Sequence, residues 1–241
     1  MLELRQVTKS FGDKLVLQNI SMNVDSGQFI SLIGPSGSGK STLFNLIGGL
    51  LTPDSGEIYF NGENITKKSG YISYMPQQAS LFPWRTILNN VLLGQELRGE
   101  RDDQRAIEML EKAGLGDVIN AYPHELSGGM KQRAAFIRAL LSPQKLMCLD
   151  EPFSALDEFT RLDMQKWLLS IWEAYDQSIL FITHSIEEAL FLSDKIVILS
   201  ANPAVIKKIV DVPFTRPRDE NILLTEEFLQ HKKEIMEIIQ T

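Results

Sequence analysis

Cysteine is almost missing. Cys148 is the single one among 241 residues, so no internal disulfide can form, and its place inside an apolar run suits a small buried side chain. Long hydrophobic runs are missing too, since no window approaches the roughly 18 to 20 apolar residues that a bilayer-spanning helix needs. Residues 1–11 space Glu3, Arg5 and Lys9 among apolar residues in alternation, the pattern of a first strand and not of a leader peptide. A cytosolic chain is expected, with any membrane role exercised through a partner. Basic charge is in deficit: 24 Lys and Arg against 31 Asp and Glu leave a net charge of −7. A phosphate backbone calls for a clustered basic surface, so nucleic acid is not expected as a partner. Internal repeats and low-complexity tracts are lacking as well. What remains, 44% apolar residues in a chain of this length, suits one large globular domain, or one with a sizeable insertion.

The pattern changes along the chain. Residues 2–75 alternate short β-rich segments with turn signals such as Gly12-Asp13, Asp25-Ser26-Gly27 and Asn61-Gly62. From about 84 to 141 the spacing becomes helical, as in Ile87, Val91 and Leu92, then Ile107 and Leu110, and Asp102-Asp103 offers a cap; this predicts a helical insertion. After Pro143, apolar strands at 146–149, 179–182 and 196–199 alternate with helices at about 157–175 and 186–192, which favours a parallel sheet covered by helices. The tail carries Pro213, Arg216, Pro217 and Arg218 in a loop before an amphipathic helix over 225–239.

The strongest motif is Gly34-Pro35-Ser36-Gly37-Ser38-Gly39-Lys40-Ser41, preceded by the apolar strand 29–33 and followed by the helical stretch Thr42 to Leu50. It matches the phosphate-binding pattern G-x-x-x-x-G-K-[ST] in the strand–loop–helix setting the chemistry requires. Glycines let successive backbone N–H groups turn towards phosphate, and the helix N-terminus adds partial positive charge at the same point. Lys40 is expected on the β- and γ-phosphates and Ser41 on Mg²⁺.

A second signal is the run Leu146-Met147-Cys148-Leu149, which stops at Asp150-Glu151-Pro152. A carboxylate at the C-terminal end of a buried parallel strand is where a phosphate-loop enzyme holds its Mg²⁺, and Asp150 fits. Side-chain alternation along a strand turns the neighbouring Glu151 elsewhere, where it could polarise the attacking water.

These motifs leave kinases, GTPases and helicases open. Leu126-Ser127-Gly128-Gly129-Met130-Lys131-Gln132-Arg133 narrows the choice, because it resembles the signature of ABC ATPases and the other motifs of that family stand in the expected order over nearly the whole chain. The resemblance implies an α/β P-loop NTPase fold with an N-terminal antiparallel β subdomain, a RecA-like parallel-sheet core and an inserted helical subdomain. Catalytic core and β subdomain would occupy 1–83 and 142–212, helices 84–141, and a loop and helix 213–241. Phe11 matches the aromatic residue that stacks on adenine, a core residue being the plainer alternative. Gln77 matches the glutamine that senses Mg²⁺ and the attacking water, with Gln78 leaving the register open. Ser154-Ala155-Leu156-Asp157 matches the loop that crosses the dimer interface, and His184 the histidine that contacts the γ-phosphate. Met130 stands where the family most often has glutamine. The family closes a head-to-tail homodimer, in which Ser127 and the Gly128-Gly129 backbone of one copy cover the ATP held by Lys40 of the other.

A separate motor subunit of this family implies two permease subunits, a solute-binding protein reached indirectly, and a position on the cytoplasmic face of the membrane. In relatives the region matching Leu81-Phe82-Pro83-Trp84 helps receive the permease; packing into the domain's own core is the other use, and the two can coexist. The tail around Pro213-Phe214-Thr215-Arg216-Pro217-Arg218 resembles the nitrate/sulfonate/taurine importers, whose relatives also serve thiamine-precursor pyrimidines; a solvated basic loop is the other reading of its arginines. About 30 residues after Asp211 are expected to be too few for an appended regulatory domain. An exporter motor, or a soluble ABC ATPase acting on nucleic acid or ribosomes, shares the nucleotide chemistry.

Overall fold

The computed structural model describes residues 1–174 and 177–240; the helix end expected at Tyr175 and the terminal Thr241 lie outside the described residues. The first sheet is antiparallel, with β1 (Leu2–Phe11), β2 (Lys14–Val24), β4 (Ser55–Phe60) and β5 (Glu63–Asn64) in the order β2-β1-β4-β5. The second runs β10-β9-β3-β8-β7-β6, from β3 (Phe29–Ile33), β6 (Ser73–Met75), β7 (Leu146–Asp150), β8 (Ser178–Ile182), β9 (Lys195–Leu199) and β10 (Ile206–Asp211). Its pairings are parallel except the first, where β10 runs antiparallel to β9.

β3, β7 and β8 are buried at every position, which is why they read as continuous apolar runs with no polar face. Alternation within them serves two cores. Ile30, Leu32, Leu146, Cys148, Leu180 and Ile182 face the antiparallel sheet and α1 (Lys40–Ile47), where they meet Leu4, Ile20, Leu43 and Phe44. Phe29, Met147, Leu149, Ile179 and Phe181 face the other way. There they meet the helices α2 (Ile87–Val91), α4 (Asp103–Lys112), α5 (Gly128–Leu140) and α6 (Glu158–Ala174). The short α3 (Leu93–Glu96) follows α2, while α7 (Ile186–Leu192) and α8 (Glu226–Gln240) pack at the far side with Ile33, Ile196 and Ile198.

Helix starts are set by side chains that accept from the first turn. Thr86 caps α2 through the Asn89 amide, Asp102 caps α4 through the Arg105 amide at 3.0 Å, and Ser127 caps α5 through the Met130 amide at 3.3 Å. The edge strand β10 escapes the sequence pattern. Its Lys207 and Lys208 are exposed, and charged residues on an edge dilute apolar alternation while protecting against stray pairing.

One alternative for the tail is overturned. Arg216 and Arg218 are not in a solvated basic loop: Arg218 is only 8% exposed and donates to the carbonyls of Leu190, Phe191, Ser193 and Phe214 at 2.8–3.0 Å. Arg216 donates to Asp194 and to the Leu192 carbonyl and lies over the Trp172 ring. The carbonyls at the C-terminal end of α7 lack intrahelical partners, and a guanidinium fork satisfies several at once.

Candidate functional site

Four segments leave the parallel sheet at its C-terminal edge, where open α/β sheets bind ligands. Residues 34–39 follow β3, Gln77 follows β6, Glu151 follows β7 and His184 follows β8. They line a cleft of about 470 Å³ built from Val16, Ser36, Gly37, Ser38, Gly39, Lys40, Ser41, Thr42, Gln77, Glu151 and His184. Val16 gave no sequence signal, being one apolar residue among several on β2.

Gly39 carries φ +84°, and a Cβ there would lie 2.8 Å from Leu17 and 2.9 Å from Val16. Any larger residue would have to displace those two side-chain ends from a left-handed backbone that only glycine adopts readily. Lys40 donates to the carbonyls of Gly34 and Pro35 at 2.9 and 3.0 Å and to Ser38 Oγ at 3.3 Å, so its ammonium sits inside the curve of the loop. Burial lowers its pKa, while the charges of Glu151 and Asp150 act to raise it.

Asp150 continues the alternation of Leu146 and Cys148 and so turns towards α1, where the Ser41 hydroxyl acts to favour its charged form. Burial pushes its carboxyl above the usual carboxylate range; the Ser41 bond and Lys40 counteract this, and Glu151 adds to it. The two groups present hard oxygen donors. Among the described residues no group of three or more His, Cys, Asp or Glu could enclose a metal. That combination fits Mg²⁺, which takes one or two protein oxygens and keeps waters and phosphate oxygens for the rest.

Glu151 departs from the expected reason for its direction. β7 ends at Asp150, and Glu151 adopts φ +49°, so a left-handed turn and not strand alternation aims its side chain. Gln77 Nε2 donates to Glu151 Oε2 at 3.0 Å, and His184 Nδ1 lies 3.5 Å from the same oxygen. Left-handed backbone in a residue other than glycine is costly and concentrates at functional sites. Of the doublet, Gln77 lines the cleft and Gln78 is not among its lining residues. Gln77 is also gripped from α5, because Gln132 donates to its carbonyl at 3.2 Å.

Other expected residues lie outside the cleft lining. Phe11 is 48% exposed at the end of β1, with the Lys9 ammonium 5.4 Å from its ring centre, so it is not a core residue. Ser127 and Gly128 are exposed at the start of α5. Next to them is the 154–157 loop: a Cβ on Gly129 would stand 3.4 Å from the Ala155 carbonyl. Ser154 Oγ donates to the Glu151 carbonyl at 2.9 Å, Leu156 is buried, and Asp157 caps α6 through the Thr160 amide at 3.0 Å.

The sequence matches the ABC transporter family over residues 17–154, more than half of the chain. This chain is an ABC transporter ATPase. It is 41% identical over 230 residues to the aliphatic sulfonates import ATP-binding protein SsuB of Bacillus cereus, covering 95% of this chain and 90% of that protein. With the nitrate import ATP-binding protein NrtD of Synechocystis it shares 39% over 254 residues, covering 99% and 95%. The dimeric post-hydrolysis structure of the ATP-binding cassette MJ0796, bound to ADP and Pi, superposes with a TM-score of 0.79 at 31% identity, covering 89% of this chain and all of that one. Like its family, the ATPase uses ATP with Mg²⁺. Among the described residues no helix is long and apolar enough to cross a membrane.

Proposed function

We propose that this ATPase is the motor subunit of an importer, energising uptake of a small solute of the nitrate, sulfonate, taurine or thiamine-precursor kind through two separate permease subunits. It acts as a homodimer on the cytoplasmic face of the membrane, with a solute-binding protein reached only through the permease. The direction of transport is supported by the import functions of SsuB and NrtD, to which the chain is similar along its length.

The observation that carries the catalytic reading is the convergence of Gln77 and His184 on one oxygen of Glu151 at the lip of the phosphate loop. Glu151 is the general base for the attacking water, Gln77 orients that water, and His184 contacts the γ-phosphate. Lys40 and the amides of 34–42 hold the phosphates, and Phe11 presents a free face to adenine. Ser41 and Asp150, with Gln77, would hold Mg²⁺, whose charge would offset that of the phosphate oxygens. Ser127, Gly128 and Gly129 stand outside the cleft of their own chain, which supports their serving the partner copy's nucleotide, with 154–157 crossing beside them. The reading divides the chain into 1–83 with 142–212, the helical 84–141, and 213–241.

The test is Glu151→Gln. The variant is expected to bind ATP, to run as a dimer in size-exclusion chromatography with MgATP, and to lose turnover by roughly 10²-fold or more, the scale of removing a general base. Wild-type turnover by this variant would overturn the assignment.

A further inference from the structure

The His184 imidazole is held by little of its own. Its side chain is 69% exposed, with Nδ1 3.5 Å from Glu151 Oε2. Its backbone, by contrast, is fixed on both sides. The Thr183 hydroxyl donates to Glu188 Oε2 and accepts from the Ser185 amide at 3.0 Å, while the Ser185 hydroxyl accepts from the Glu188 amide at 3.2 Å. One carboxylate, on the first turn of α7, thus closes a ring of hydrogen bonds around the residue that carries the imidazole.

The other oxygen of Glu188 looks away from His184. Oε1 accepts from Gln165 Nε2 at 3.1 Å and lies 3.9 Å from Arg161 Nε, both on α6. Arg161 in turn donates from its terminal nitrogen to the Leu156 carbonyl at 2.8 Å, and its amide donates to the Asp157 carbonyl at 2.9 Å. A continuous chain of polar contacts therefore joins the 154–157 loop to the His184 turn within one copy. Glu188 is largely buried, with a side chain 12% exposed; burial raises its carboxyl pKa, while Thr183, Arg161, His184 and Gln165 act to lower it.

We propose that Glu188 is a positioning residue for His184 and that Arg161 links it to the 154–157 loop, so that closure of the dimer against that loop sets the histidine at the phosphate. The proposal rests on the reading of His184 given above. A side chain outside the cleft lining acts here by fixing where another residue's backbone stands, and displacements of about 1 Å in such a support can cost roughly 10²-fold in rate.

The chain has three histidines, His124, His184 and His231, so their imidazole signals in a ¹³C-histidine NMR spectrum can be assigned by single replacements. Glu188→Ala is expected to shift or broaden the His184 signal and leave the other two in place, and to lower kcat roughly 10- to 100-fold with little change in KM for ATP. Arg161→Met is expected to move the same signal. In a His184→Ala background, Glu188→Ala should cost little more, since residues acting as one unit are not additive. If Glu188→Ala does not fold, Glu188→Gln serves, because its amide keeps the size and one acceptor but loses the charge facing Arg161. An unmoved His184 signal in the Glu188 variants, or equal losses with and without His184, would refute the positioning role. An unmoved signal in Arg161→Met would refute the link to the loop. Wild-type turnover by His184→Ala would instead remove the role given to His184 itself, and this arm alone reports that failure.

Discussion

Two neighbouring carboxylates leave β7 for different surroundings. Asp150 keeps the strand's alternation and is buried beside Ser41, whereas Glu151 turns through a positive φ into the open cleft. Desolvation works against the charge of Asp150, the charge that the proposed Mg²⁺ site needs. Function and stability therefore oppose each other at this residue. Asp150→Asn is expected to abolish MgATP hydrolysis while raising stability in Mg²⁺-free buffer by about 0.5–2 kcal/mol, checked by urea denaturation. At Gly39 the constraint is steric: Gly39→Ala places a methyl group within 3 Å of both Val16 and Leu17 in a left-handed backbone. A loss of nucleotide affinity and a destabilisation of about 1–3 kcal/mol are expected, read by nucleotide titration and thermal melting.

Elements owe their placement to polar contacts as much as to apolar faces. α7 is only seven residues long, too short to be stable alone, yet it is fixed at both ends. Ser185 and Glu188 secure its start, and Arg216 and Arg218 gather the carbonyls at its end. Arg218→Ala would leave several buried carbonyls without donors at roughly 1–3 kcal/mol each. Partial rehydration reduces the total, so a destabilisation of about 3 kcal/mol or more is expected in urea denaturation. Arg218→Lys should recover only part of it, since an ammonium cannot reproduce the planar fork. The α5 helix works in a comparable way on the other side of the cleft. Besides Gln132 on Gln77, its Arg138 donates to the carbonyls of Ala79 and Ser80, so the helix that begins at the signature also holds the glutamine loop.

At the scale of the molecule, the cleft holds the phosphate loop, Gln77, Glu151 and His184 but not the signature of its own chain. If two copies complete each other's sites, Lys40→Ala and Ser127→Arg should each be inactive alone, while a mixture of the two should recover measurable phosphate release through mixed dimers with one intact composite site. A mixture as inactive as its components would rule out completion in trans. The helical stretch offers a second outward feature. Leu81 packs on the core, but Trp84 is 71% exposed with its ring 5.1 Å from that of Phe82. An exposed tryptophan beside a half-buried phenylalanine suits a protein contact, and Trp84→Ala is expected to weaken membrane cofractionation while leaving ATP-dependent dimerisation intact.

The phosphate loop, the Asp150-Glu151 turn, the signature and the parallel-sheet class were legible in the amino-acid order, because backbone approach to phosphate and full burial of strands each demand particular residues at fixed spacing. Strand limits at 29–33 and the helix over 186–192 followed from the same apolar patterns. Tertiary structure decided which glutamine of the doublet faces the site, how Glu151 is aimed, that the tail arginines are buried, and that Thr183, Glu188 and Arg161 form one chain of contacts. None of these has a periodic signature, since each depends on groups far apart in sequence meeting where water is excluded, and on a backbone angle that a glutamate rarely adopts.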